Sequence, residues 1–79
     1  MANLLEMNGR EIVSFRMSDN SIRDCWKTDD RLYLRIERRT GEMAYVDDVY
    51  IVRLNKEEKE LERWNFRNVA GVTWKEAQR

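Results

Sequence analysis

The chain of 79 residues contains no His and no Pro, and it has a single Cys. Without His, the side chain used most often for proton transfer near neutral pH is missing, and so is every Ser-His or Cys-His nucleophile pair. A single Cys excludes an intramolecular disulfide, the bond that stabilises many small secreted domains, so a reducing cytoplasm fits best. These absences favour a small cytoplasmic protein that is not an enzyme.

The sequence also lacks a long apolar run, since no segment approaches the roughly 20 residues of a bilayer-spanning helix. Its first residues carry neither a cationic leader nor an apolar stretch, and we expect neither export nor membrane insertion. Glycine-rich phosphate loops and Cys-x-x-Cys pairs are missing as well. We therefore expect no cofactor and no metal site.

Charge of one sign does not dominate, because fifteen acidic residues balance fifteen basic ones. The long-range field that steers proteins to phosphates is then missing for the molecule as a whole, and nucleic-acid binding would need a local patch. Charged residues make up 38% of the chain and hydrophobic residues 42%, which still permits folding. We expect residues 1–79 to form one small globular domain.

The first strong local signal is Asn8-Gly9, a pair that tolerates the positive φ angles of a two-residue hairpin turn. It predicts a hairpin between a strand over 4–7 and a strand over 10–17. A short strand over 22–27 follows a cluster of turn-forming residues.

The clearest strand covers 32–37, where Leu32, Leu34 and Ile36 alternate with polar or amphipathic residues. Gly41 closes a predicted three-residue hairpin loop, in which it would adopt the left-handed conformation. We expect the next strand to pair back along the first.

The register of that hairpin places Ile36 opposite Ala44 and Leu34 opposite Val46. The other face of the hairpin would then display one group of aromatic, Arg and Met side chains. Its members are Tyr33, Arg35, Met43 and Tyr45.

Asp47-Asp48 interrupts the apolar pattern and indicates a bulge, a bend or a tight turn between two strands. Residues 49–52 are apolar on both faces, which is typical of a strand inside a sheet.

Asn55 and Glu58 have the spacing of a helix-capping box, so a helix is predicted to begin at Lys56. Leu61 and Trp64 would share one face of it. The alternative for 69–74 is a further strand. The predicted fold class is α+β: a small antiparallel meander sheet of four to five strands, open or partly closed as a barrel, with one C-terminal helix.

Two groups of residues are candidate sites: the Asp pairs, described first, and a basic stretch, described in the next paragraph. Asp29, Asp30, Asp47 and Asp48 form pairs that would hold Mg²⁺ in a metal-dependent nuclease, although Asp is also common in turns for its backbone bonds. Cys25 beside Trp26 is more simply a buried small hydrophobe than a reactive thiol. Trp26, Trp64 and Trp74 are expected in the core, because a small domain needs their area.

The densest basic stretch is the other candidate site. Its members are Arg31, Arg35, Arg38 and Arg39. Such a stretch contacts phosphate in some domains, with Tyr33 or Tyr45 stacking on an unpaired base. Asp47, Asp48 and Glu42 on the partner strand would neutralise it, and a solvated face of cross-strand ion pairs is favoured.

We therefore expect a non-enzymatic protein-binding module that docks on a partner protein through Tyr33, Arg35, Met43 and Tyr45. Eleven of the fifteen cationic residues are Arg, and Arg, Trp and Tyr are enriched at binding hot spots. Accessory or inhibitor proteins of phages and other mobile elements fit this description, and a homodimer would cover the same face. The alternative is a single-stranded nucleic-acid-binding domain, and the third reading is the nuclease.

Overall fold

Alternating apolar side chains build six antiparallel strands in a computed structural model that describes residues 4–25 and 27–76. Two short 3₁₀ turns, Leu4–Met7 and Phe66–Asn68, accompany the strands. The strands are β1 (Glu11–Met17), β2 (Ile22–Asp24), β3 (Arg31–Thr40), β4 (Tyr45–Leu54), β5 (Glu60–Asn65) and β6 (Val69–Trp74). These residues contain no α-helix, so the predicted α+β class with a C-terminal helix is wrong.

The strand order brings the end of the chain back to its beginning. β6 pairs with one edge of β1, while the other edge of β1 pairs with β3 near its start and with β2 near its end. β4 then lies between β3 and β5. The sheet curls into a half-barrel, and the ring of Phe15 on β1 meets the ring of Trp64 on β5 edge to face, with centroids 5.0 Å apart.

The inner face of the curled sheet carries the core. Its buried members are Ile12, Phe15, Cys25, Leu32, Leu34, Ile36 and Ile51. The inward alternation predicted for 32–37 is confirmed within β3, and Trp64 and Trp74 pack on the core as predicted. Trp26 lies outside the described residues. Cys25 is buried as expected, and desolvation raises the pKa of its thiol, so it behaves as a small hydrophobe.

The segment predicted to start a helix forms the turn between β4 and β5. The Asn55 side chain accepts hydrogen bonds from the backbone of Glu57 (3.0 Å) and Lys59 (2.9 Å), and Glu58 has a φ of 64°. Asn makes the same local bonds in a turn and at a helix N-cap, so the spacing alone does not separate the two structures. The chain continues as strand β5, and 69–74 is β6, the alternative that the sequence left open.

The Asn8-Gly9 pair forms a turn, and Gly9 has a φ of 85°. The predicted hairpin is nevertheless wrong, because Leu4–Met7 is a 3₁₀ turn and not a strand. The Asn8 side chain instead accepts a hydrogen bond from the backbone of Ile36 at 2.9 Å. This residue therefore covers part of the free edge of β3.

The β3–β4 hairpin has a different register from the predicted one. Ile36 faces Val49 rather than Ala44, a shift of five residues, and the turn lies at Glu42 and Met43. Gly41 does not adopt the predicted left-handed conformation. It is required for space, because a Cβ atom there would lie 2.7 Å from the carbonyl oxygen of Ala44.

The outer part of this hairpin extends beyond its neighbouring strands. β5 pairs with β4 only from Tyr50 onward, and Asn8 is the last described neighbour along β3, at Ile36. Asp47 and Asp48 do not break the chain into two strands, since both lie inside continuous β4. Residues 37–48 thus form a two-stranded projection, here called the arm, and the remaining described residues are the body.

Candidate binding surface

The four residues predicted to share one sheet face fall on three different surfaces. Tyr33 and Arg35 lie on the outer face of the body, opposite Val52 and Tyr50. Met43 is in the arm turn and 99% exposed. Tyr45 lies opposite Thr40 on the other face of the hairpin and is 70% exposed. The odd register shift causes this separation, because a shift by one or any odd number of residues exchanges the faces of a strand.

The outer face of the body is covered by charged side chains rather than left bare. The Arg63 guanidinium contacts Glu37 (3.1 Å) and Glu60 (2.8 Å), and it lies 4.6 Å from the ring centroid of Tyr50. Arg35 reaches the same Glu60 at 3.6 Å. The hydrogen bond from Arg63 holds the pKa of the Glu60 carboxyl below its ordinary value.

Val52 shows what this network covers. It lies on the outer face between Tyr33 and Arg63, yet it is 0% exposed. Its cross-strand neighbours, Tyr33 and Arg63, have long side chains of the kind that exclude water from an apolar group between them. A partner that docked flat on this face would first have to displace the ion pairs.

Two ion pairs join the strands of the arm to each other, one on each face. Arg38 binds Asp47 through two hydrogen bonds, 2.7 Å and 3.2 Å long, and Arg39 binds Asp48 at 2.9 Å. The Arg38 hydrogen bond lowers the pKa of the Asp47 carboxyl. Of the predicted cross-strand ion pairs, those of Arg38 and Arg39 with Asp47 and Asp48 are confirmed. Arg35 instead pairs with Glu60 of β5, and Glu42 takes part in none of the described ion pairs. The arm therefore presents no unneutralised cluster of cations for a phosphate backbone.

Three large apolar side chains are exposed together on the arm: Met43 at the turn, Tyr45 on one face and Val46 on the other. The Arg38 guanidinium lies 5.7 Å from the Tyr45 ring centroid. Because Asp47 holds the Arg38 guanidinium in place, that guanidinium is a fixed cation–π neighbour of the Tyr45 ring. The arm therefore offers an apolar tip that its own ion pairs hold in place.

The arm also leaves backbone groups without a strand partner. Gly41 donates a backbone hydrogen bond to Ala44 (2.8 Å), which sets the alternation of the antiparallel ladder. By that alternation, the N–H and C=O groups of Tyr45 and Asp47 point to the free edge of β4. Those of Arg38 and Thr40 point to the free edge of β3.

The Asp pairs do not converge on one site. Asp30 binds Arg53 at 2.7 Å, while Asp47 and Asp48 bind Arg38 and Arg39 on the arm. Within residues 4–25 and 27–76, no three Asp, Glu, His or Cys side chains are grouped to hold a metal ion.

A cleft of about 390 Å³ opens beside Cys25, between β1 and the start of β3. Its charged lining residues include Glu11 and Lys75, which are paired at 3.3 Å. The raised pKa of the Cys25 thiol opposes thiolate formation, and no proton-transfer partner for it follows from the described contacts. The arm is the stronger candidate for a functional surface.

Sequence reasoning missed Val46 as a surface residue, because the predicted register buried it opposite Leu34. Charge pairing does not separate the two registers, because Arg38 faces a carboxylate in each, Glu42 in the predicted one and Asp47 in the observed one. The larger apolar pairs of the observed register, Ile36–Val49 and Leu34–Ile51, do separate them. Comparisons of the chain with protein-family models, with curated proteins and with solved structures gave no match. The described part of the chain holds no helix with the length and hydrophobicity that crossing a membrane requires.

Proposed function

We propose that this protein is a small non-enzymatic binding module that docks on a partner protein through the arm. The observation that carries the proposal is the exposure of Met43, Tyr45 and Val46 on one two-stranded projection. Tyr45 lies on one face of the arm and Val46 on the other, so the tip offers a partner protein apolar contacts on both sides. A wider role as an accessory or inhibitor protein of a phage or mobile element stays a prediction from composition.

The ion pairs of the arm support this reading. They fix both strands before any partner arrives, which lowers the conformational entropy lost on binding. Arg38 beside Tyr45 also supplies the aromatic and guanidinium groups that are frequent at binding hot spots. The complementary partner surface is neutral, with an apolar recess for Met43 and acceptors near Arg38.

A protein partner is favoured over single-stranded nucleic acid. Arg35, Arg38 and Arg39 each have a carboxylate within 4 Å, at Glu60, Asp47 and Asp48 respectively. A phosphate would have to compete with each of these carboxylates, and the chain has no net charge to attract it.

Affinity capture tests the proposal. The immobilised chain is incubated with lysate of its native host, with and without nuclease, and the bound proteins are identified by mass spectrometry. We expect capture to survive nuclease and to be lost in the double variant Met43→Ala, Tyr45→Ala.

The matched control is Ile22→Ala with Leu61→Ala, which removes two comparably exposed apolar side chains from the body. It should retain the captured protein. Equal capture by the arm variant and the control variant would contradict the proposal.

A further inference from the structure

Between the arm turn and Tyr50, the edge of β4 away from β3 pairs with no described strand, and the 3₁₀ turn Phe66–Asn68 lies beside its base. Tyr45 and Asp47 direct their backbone N–H and C=O groups toward this edge, and β5 begins only at the level of Tyr50. An extended segment added here would continue the line of β5. Addition of a strand to such an edge is a common mode of protein recognition.

We propose that a second copy of this chain occupies this edge, with the two β4 strands paired antiparallel about a two-fold axis at Val46. The inference rests on the proposed function, because it takes the arm as the docking element. It specifies the partner as a second copy of the chain, and it specifies the register in which the two β4 strands pair.

The pairing rule of antiparallel strands selects this register. Residues with outward backbone groups must face each other, so Tyr45 lies opposite Asp47 of the second copy, and Val46 lies opposite Val46. Both outward residues of each arm are then bonded, and two apolar side chains meet on the axis. No like charges stand directly opposite each other.

Three alternative axes are less favourable. A two-fold axis at Asp47 places the Asp47 carboxylates of the two copies opposite each other. If the β3 edges pair instead, an axis at Arg39 places the two Arg39 guanidinium groups opposite each other. Directly opposed like charges destabilise a strand pair. An axis at Tyr45 brings Asp47 against the turn of the second copy, so only one residue of each arm is fully paired.

The same register gives the exposed tip a place to bind. Two residues further, Met43 of the second copy reaches the level of Val49, where Phe66–Asn68 already lies beside β4. Its side chain must therefore bend out of the sheet, over a depression that Asn65, Phe66 and Arg67 help to line. Val49 and Phe66 are only partly buried, so they offer apolar surface to the Met side chain.

Charge complementarity supports the same contact. Glu42 precedes Met43 in the turn and would approach Arg67 of the second copy. Neither residue takes part in an ion pair among the described residues. The contact occurs twice in a two-fold dimer, and such an assembly is closed rather than open-ended.

Analytical ultracentrifugation of the full chain is the first test. We expect a concentration-dependent dimer, and Val46→Lys should weaken dimerisation by about a hundredfold or more, because it places two ammonium groups on the axis. Leu61→Lys is the matched control, since Leu61 is an exposed apolar strand residue of the body, and it should dimerise as the unchanged chain does. Circular dichroism checks that both variants are folded.

Disulfide trapping tests the register. Residues in a non-hydrogen-bonded antiparallel pair have Cα atoms about 4.5 Å apart, which a disulfide can bridge. Val46→Cys should therefore give a covalent dimer under mild oxidation, whereas Leu61→Cys should not. Buried Cys25 is retained in both variants.

A charge exchange tests the tip contact. Glu42→Arg should weaken the dimer at least about tenfold, and the double variant Glu42→Arg, Arg67→Glu should restore it. A chain that stays monomeric at all concentrations, a Val46→Lys dimer as tight as the Leu61→Lys dimer, or a charge exchange without restoration overturns the inference. If such a monomer still captures a host protein through Met43 and Tyr45, the proposed function stands alone.

Discussion

The body and the arm are built from the same two strands, β3 and β4, but different forces hold them together. In the body, the inner face of β3 carries Leu34 and Ile36, which face Ile51 and Val49 across the ladder. In the arm, the same face carries Arg38, which faces Asp47. The ladder thus continues past the edge of the core because charge pairing replaces apolar burial. Apolar residues on the arm then remain exposed.

Arginine has a different use in each region. On the outer face of the body, Arg63 bridges Glu60 and Glu37, the first residue of the arm, and covers Tyr50, and Val52 beside it is fully buried. In the arm, Arg39 binds Asp48 on the outer face, where Val46 remains 38% exposed. The first arrangement extends the hydrophobic interior to the outer face, whereas the second only fixes the strand pair.

The largest expected difference between the two regions concerns apolar truncation. Ile51→Ala should lower the free energy of unfolding by about 2–5 kcal/mol, because Ile51 is 0% exposed and a cavity would remain. A domain of this length has only about 4–12 kcal/mol in total. Urea unfolding followed by Trp fluorescence measures the loss.

Val46→Ala is the matched change in the arm. It should alter the free energy of unfolding by less than about 0.5 kcal/mol at concentrations where the chain is monomeric. Equal losses for the two variants would mean that the arm belongs to the same cooperative core as the body.

The second comparison concerns Arg. Arg63→Ala should lower the free energy of unfolding by about 1–2 kcal/mol, because it strands Glu37 and Glu60, removes the contact with Tyr50 and uncovers Val52. Arg39→Ala on the arm should cause no measurable loss in the same urea titration. A smaller loss of unfolding free energy for Arg63→Ala than for Arg39→Ala would show that the outer-face ion pairs are not needed to exclude water from Val52.

The contrast between the regions also explains what the sequence could predict. The period of two over 32–37 was a reliable signal, because that face of β3 is buried in the core. The apolar pattern was not a reliable signal for the hairpin register. Ala44 and Val46 stand two residues apart, as a shared strand face requires, so they could be placed opposite Ile36 and Leu34 in the same way as Val49 and Ile51. In the structure the larger branched pairs lie in the core, and Arg38 then faces Asp47 instead of Glu42.

The missing helix has a separate cause. Asn55 with Glu58 satisfies the spacing of a capping box, but the same Asn side chain bonds the backbone of a tight turn. Leu61 and Trp64 suit one helix face equally well, and the choice is made by pairing of β5 with β4. The candidate site was predicted in residue types but not in arrangement, because one odd shift in register separates Tyr45 from Tyr33.

Glycine substitutions give a smaller effect in each region. Gly9→Ala in the body should cost about 1 kcal/mol of unfolding free energy, because its φ is 85° although the space around it is open. Gly41→Ala should instead distort the arm turn, where the new Cβ meets the Ala44 carbonyl. We expect chemical-shift changes confined to residues 37–48 for Gly41→Ala, with little change in the urea midpoint. Shifts that spread through the core would contradict a separate arm.

The smallest expected effect is the response to acid, and it again divides the regions. Arg63 lowers the pKa of Glu60 in the body, and Arg38 lowers the pKa of Asp47 in the arm. A carboxyl with a lowered folded-state pKa contributes its full stabilisation above the unfolded value, about 4.3 for Glu, and loses it as the pH falls through the folded value.

Stability of the body should therefore decline slightly below that pH. Arg63→Ala should flatten most of the decline, because Arg35 alone then lowers the pKa of Glu60. Protonation of Asp47 should release the arm without a matching loss of global stability, since no core residue depends on it. Carboxyl chemical shifts recorded by NMR during titration, beside urea midpoints at each pH, separate the two events. If the Asp47 titration and the loss of global stability coincide even in Arg63→Ala, arm and body unfold as one unit.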